Sequence, residues 1–269
     1  MHTRARATTV ARAAVTLAFA LMLIVICAGR AEAEPAIKAA GCQVYDTNQV
    51  DPIAFATHMH HQFGNTSTTN ESTGASLKNH LNTSCNAKAD WFTTAGWFPV
   101  EQNEPVSKVA VYYRAPGDQT KVKTIPTGLQ ILATQQEYNC IPDRGGNFQD
   151  SPVYGCTGDF NTRVSFPDCW NQDSLQETTL VYSRNGVCPA SHSYRIPRIS
   201  YLIQHNNADN RVTNPLLVSA GLDDWHPWAD MHADYFAANQ DVFNDKLIRE
   251  CLIEVGDNEA RDAGLCGGL

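Results

Sequence analysis

The chain has 269 residues, 43% of them hydrophobic and 18% charged, which is enough for one sizeable core and too little length to demand two. Its formal net charge is −8, and no run of clustered Lys and Arg occurs beyond residue 34. Nucleic acid is thereby excluded as the main partner, because binding phosphates needs grouped cations.

In chain order, the first segment carries Arg4, Arg6 and Arg12 with no acidic residue among them. An apolar run over residues 14–29 follows, and then Ala31-Glu32-Ala33. This charged, apolar, small-residue order is that of a secretory signal peptide. Cleavage is expected after Ala33, leaving one globular domain over residues 34–269 in a secreted, extracellular protein. The apolar run falls short of the ~20 residues a bilayer span needs, so no membrane span is expected in the mature chain. Removing four arginines and one glutamate makes the mature protein more acidic still.

His58-Met59-His60-His61 comes next. In an extended segment, residues i and i+2 share a face, so His58 and His60 point one way and His61 the other. Residues 64–86 are rich in Asn, Ser, Thr and Gly and read as a long surface loop. Asn65, Asn70 and Asn82 each begin a glycosylation acceptor pattern there. Strands are predicted over 107–115, 128–134, 178–183, 198–205 and 216–221, from their Val, Ile, Tyr and Thr content and their alternation. Apolar residues at three- and four-residue steps predict one or two helices over 230–253. The fold expected is mainly β: an antiparallel β sandwich or barrel-like domain with a C-terminal helical segment, stapled by disulfides.

Cys27 leaves with the signal, and eight cysteines remain. An even count in an oxidising compartment reads as a complete disulfide set. With no CxxC, a zinc ribbon or thioredoxin-like site is disfavoured. Local pairing joins Cys140 to Cys156, Cys169 to Cys188 and Cys251 to Cys266, with Cys42 and Cys85 left to each other.

The chemistry-bearing residues form a few groups. One is His58 with His60. A second is residues 223–236, which hold Asp223, Asp224, His226, Asp230, His232 and Asp234 among aromatic residues. If that segment is helical, Asp230 and Asp234 share a face; if extended, His232 and Asp234 do. Others are His192 near Arg195, and Asp168 beside Trp170. Tryptophans at 170, 225 and 228 read as core or as sugar platforms, and His61, His80 and His205 as structural.

These residues, with Asp51-Pro52-Ile53, Phe63-Gly64-Asn65, Thr83-Ser84-Cys85, Trp91, Val111-Tyr112-Tyr113-Arg114, Pro126-x-Gly128-Leu129, Phe166-Pro167-x-Cys169-Trp170, Cys188-Pro189-x-Ser191-His192 and His232-Ala233-Asp234-Tyr235-Phe236, resemble a secreted domain-of-unknown-function family, number nineteen ninety-six. The ordered blocks span about residues 51–241. Fungal members of that family often carry cell-wall carbohydrate-binding domains, so the resemblance implies a polysaccharide or cell-surface glycan partner. It covers His58, His60, Asp168, Trp170, His192, Arg195, His232 and Asp234. Gln62 stands where the family often has an aromatic residue.

Two functions follow as expectations. The first is a glycan-cleaving hydrolase or lyase, with His58, His60, His192, His232 and Asp234 as catalytic residues and Asp168, Trp170 and Arg195 binding substrate. A divalent transition metal held by His58, His60 and His232 is an alternative use of the same imidazoles. The second is a non-catalytic glycan-binding or cell-surface structural module. A monomer is expected in either case. The first reading requires His58, His60, His192 and His232 to converge on one pocket, with Asp234 in or next to it, although some 170 residues separate His60 from His232.

Overall fold

The structure, a computed structural model, describes residues 36–47, 50–53, 59–86, 92–99, 106–141, 147–150, 158–205 and 232–253. The chain divides into Met1–Ala33 and Glu34–Leu269, and every described residue belongs to the second unit. Among the described residues no helix is long and apolar enough to cross a membrane.

The strands are β1 (Ala36–Cys42), β2 (Tyr45–Thr47), β3 (His60–Gly64), β4 (Ala95–Pro99), β5 (Val106–Arg114), β6 (Gln130–Ala133), β7 (Gln135–Ile141), β8 (Asp159–Ser165), β9 (Cys169–Trp170), β10 (Leu180–Val181), β11 (Tyr194–Arg195), β12 (Arg198–His205) and β13 (Ala233–Phe236). They form two five-stranded antiparallel sheets, ordered β1-β5-β12-β8-β7 and β2-β3-β4-β13-β6, and a small sheet β10-β9-β11. The mainly β, antiparallel expectation holds.

The two large sheets pack face to face as a sandwich. Alternation along β5 and β12 sends Val109, Val111 and Tyr113, and Ile199, Tyr201 and Ile203, into the core. From the other sheet come Phe63, Phe98, Ile131, Ala133, Ala233 and Tyr235. The rings of Phe63 and Tyr201 meet edge-on at 4.7 Å. The layers are also joined by polar contacts: the Tyr201 hydroxyl donates to the Asp234 carbonyl at 2.9 Å, and the Tyr113 and Tyr235 hydroxyls lie 3.0 Å apart. Gly96 makes this approach feasible, since a Cβ there would meet Phe63 Cζ at 2.4 Å and Tyr201 Oη at 2.7 Å.

All five residues of β3 are buried, so both of its faces are covered. The outer cover includes a short helix α1 (Gly74–Lys78), started by a Thr73–Ser76 capping box inside the segment read from sequence as loop. Leu77 of α1 packs in a second cluster with Ala95, Trp97, Phe236 and Ala238, joined by Ile53. Asn65 pins that cover, its Nδ2 lying 2.9–3.0 Å from the carbonyls of Leu77, His80 and Thr93.

Two local expectations change. Residues 233–236 form a strand rather than the start of a helix; the helical segment begins with α2 (Asp241–Lys246) and continues as a π-helical stretch over Leu247–Ile253. Residues 233–239 are buried throughout, because β13 is covered on both faces, so their apolar spacing carried no helical period. In 178–183 only Leu180–Val181 is strand, after a 3₁₀ turn at Glu177–Thr179. The strand expected at 216–221 lies outside the described residues. Cys42–Cys85 and Cys169–Cys188 are bonded as anticipated. Cys140 and Cys251 are disulfide-bonded too, but the expected partners Cys156 and Cys266 lie outside the described residues.

Candidate functional site

The register of the second sheet builds the site. Gln62 on β3 pairs with Trp97 on β4, and Trp97 pairs with Asp234 on β13. Directly opposed residues project on one face, so these three form a row across adjacent strands. It is the outer face, away from the sandwich core, because Trp97 and Phe236 belong to the second cluster. His60 and His232 extend it by the strand period of two, each lying two residues before a member of the row.

Two of the four histidines expected to converge, His60 and His232, lie close together. The ring centroids of His60 and His232 lie 6.0 Å apart, nearly perpendicular. His232 Nε2 is 3.7 Å from Asp234 Oδ2. The segment is therefore extended at His232, and His232 and Asp234 share a face, one of the two alternatives the sequence left open. His61 faces the other way, 5.4 Å from the Phe98 ring. Of the row and its histidines, His232 is the one that meets solvent, with its side chain 24% exposed; His60, Gln62, Trp97 and Asp234 are buried. His58 lies outside the described residues, as do Asp223, Asp224, Trp225, His226, Trp228 and Asp230.

Burial pushes the Asp234 carboxyl well above the usual carboxylate range, and the charges of Asp51 and Glu177 push it the same way. Asp51 is itself buried and held over the sheet: its backbone N–H donates to Asn70 Oδ1 at 2.7 Å, and its Oδ1 accepts from the Ile53 N–H at 2.9 Å. Gln62 Nε2 donates to the Val50 carbonyl at 2.9 Å, tying the same segment to β3. Three polar atoms of the row have no hydrogen-bond partner among the described residues: Gln62 Oε1, Trp97 Nε1 and Asp234 Oδ2. Each such buried orphan costs about 1–3 kcal/mol, so three side by side mark a place kept at the expense of stability.

The remaining predicted residues sit around the small sheet. Asp168 is fully buried and bonded within the protein: Ser183 donates to it from its N–H at 2.8 Å and its hydroxyl at 2.7 Å, and Arg198 approaches at 3.2 Å. Trp170 is buried, its Nε1 donating to the Ser174 carbonyl at 2.8 Å. Buried Arg195 donates from Nη1 to the Asp118 carbonyl at 2.8 Å. The half-buried His192 ring lies 2.9 Å from the Ser191 hydroxyl. Buried His205 bonds Thr162 at 2.9 Å, in keeping with a structural reading. Among the described residues no group of three His, Cys, Asp or Glu side chains is placed to hold a metal ion; a set including His58 falls outside that statement.

Sequence reasoning missed Trp97 and Glu177, and took Gln62 and Asp51 only as points of resemblance. Trp97 lay within an aromatic run, Ala95-Gly96-Trp97-Phe98-Pro99, but nothing in sequence pairs it with Gln62 and Asp234.

These features define a class: a disulfide-bonded antiparallel β sandwich whose site lies on the outer face of one sheet, built from imidazoles and a buried carboxyl. Residues 49–238 match the family described as Domain of unknown function (DUF1996), and the chain belongs to that family. No curated protein and no solved structure matches it.

Proposed function

We propose that the protein is exported by cleavage after Ala33 and acts on a cell-wall or other extracellular polysaccharide by acid–base bond cleavage at His232, Asp234 and His60. The observation that carries this reading is the approach of His232 Nε2 to 3.7 Å from a buried Asp234 carboxyl, with the His60 ring beside it at 6.0 Å. Imidazoles titrate near neutral pH, which suits proton transfer. In this reading His232, partly exposed, exchanges a proton with the substrate. Asp234 supplies or orients that proton, and His60 packs edge-on to hold the ring. Asp168, Trp170, Arg195 and His192 are left as supports of the small sheet.

The acid–base reading is favoured over a binding module by the aromatic residues. Stacking on sugar rings needs exposed aromatic faces, and Trp170, the described one of the three tryptophans read as sugar platforms, is buried with its Nε1 donating to the Ser174 carbonyl. The test is a polysaccharide-cleavage screen of the purified mature protein, with and without chelator, alongside His232→Ala and Asp234→Asn. Loss of at least roughly 100-fold in rate in both folded variants is expected. Cleavage retained in both would refute it, and loss on chelation alone would assign the histidines to a metal instead.

A further inference from the structure

We infer that Gln62, Trp97 and Asp234 form a subsite for an uncharged hydroxyl group, and that the substrate is a neutral glycan rather than a polyuronate. This rests on the acid–base reading above and sharpens it.

The three residues are consecutive across β3, β4 and β13, on one face. Each is at least nine-tenths buried, and each presents a polar atom with no hydrogen-bond partner among the described residues, Asp234 Oδ2 facing His232 Nε2 at 3.7 Å. Taken along the row, those atoms are an acceptor, Gln62 Oε1, a donor, Trp97 Nε1, and the Asp234 carboxyl oxygen Oδ2. Strand spacing sets neighbouring Cβ atoms about 5 Å apart, the scale over which one small group can touch two of them. Neighbours in the row do not satisfy each other, although indole donor and carboxyl acceptor stand side by side.

The ligand class follows from matching that pattern. A hydroxyl both donates and accepts, so it can take the indole N–H and give its own proton to Gln62 or Asp234. An ammonium group would set donor against donor at Trp97. A carboxylate would accept from Trp97, but it would enter beside the Asp234 carboxyl, whose own ionisation is already disfavoured by burial and by the charges of Asp51 and Glu177. The row therefore suits a sugar hydroxyl and opposes a uronate.

The reaction class narrows as well. Elimination from a polysaccharide needs a carboxylate next to the carbon that loses its proton, which only a uronate unit provides. A neutral glycan leaves hydrolysis. Water supplies its hydroxyl to the anomeric carbon as the carbon–oxygen bond breaks, the departing oxygen takes one proton, and His232 with Asp234 carries that proton.

The experiment observes the Trp97 indole Nε1–H by nitrogen–proton NMR in the His232→Ala protein, which is to hold ligands uncleaved. Probes are cellohexaose, laminarihexaose and mannohexaose as neutral chains and hexagalacturonate as the acidic one. The Trp97 resonance should shift with at least one neutral chain and stay fixed with hexagalacturonate. Trp97→Phe should weaken that neutral chain roughly tenfold, the size of one hydrogen bond. Should Trp97→Phe fail to fold, Gln62→Met, which keeps length and removes Oε1, should weaken it several-fold while leaving Trp97 to report. A resonance unmoved by neutral chains that the wild type cleaves overturns the subsite and leaves the acid–base reading standing. A shift with hexagalacturonate overturns the preference for neutral chains. No binding and no cleavage of any chain overturns both, and assigns the row to ordered water alone.

Discussion

Replacing Asp234 with asparagine should make the protein more stable and less active, and the gain should depend on pH. An aspartate in an unfolded chain ionises near 3.9. In the fold, burial and the neighbouring Asp51 and Glu177 hold the Asp234 proton to higher pH. Its contribution to stability is thus fully present below the unfolded value. It declines as pH rises through the interval up to the folded value, because there the unfolded chain releases a proton that the native state keeps. Within that interval the loss is about 1.4 kcal/mol per pH unit. Asparagine has nearly the same shape and does not titrate, so the difference between variant and wild type isolates this one group. Differential scanning fluorimetry of both mature, oxidised proteins from pH 4 to 7 at constant ionic strength gives the comparison. The two melting temperatures should lie closest near pH 4. The variant should then gain roughly 3–5 °C per pH unit, the conversion expected for a domain of this size, until the interval ends. A gap that is flat from pH 4 to 7 would mean that Asp234 ionises normally in the fold, and the proton-holding role assigned to it would be wrong.

Three further outcomes are expected. Removing the Cys42–Cys85 bridge should cost about 4 kcal/mol and removing Cys169–Cys188 about 3 kcal/mol, since they close loops of 43 and 19 residues; urea unfolding of the two double-alanine variants checks the order. Gly64→Ala should cost at least about 2 kcal/mol and weaken activity with it, because Gly64 has φ +81° and a Cβ would meet the Thr94 carbonyl oxygen at 2.1 Å, at the end of the strand that carries His60 and Gln62; unfolding and cleavage are measured together. Expressed in a host that glycosylates asparagine, the protein should carry glycan at exposed Asn82 and none at Asn65, whose amide is buried against three carbonyls; peptide mass spectrometry distinguishes the two sites.

Local patterns determined much of this protein from sequence alone. The apolar content and alternation in residues 107–115 and 198–205 marked two adjacent interior strands of one sheet, because one face of each is core and the other is not. The even cysteine count anticipated the bonded state of all six described cysteines, and short separation chose Cys169–Cys188. The two-residue spacing set His61 on the opposite face from His60 and put His232 with Asp234 once the segments are extended. Whether residues 232–236 are extended was a tertiary decision: β13 is a strand because β4 and β6 hydrogen-bond it on both edges, and its burial on both faces erased the periodicity that local reading depends on. The site itself was likewise set by register. Gln62, Trp97 and Asp234 are remote in sequence, and what aligns them is the pairing of three strands, an interaction between segments whose free energy depends on the packed sheet and not on any one of them.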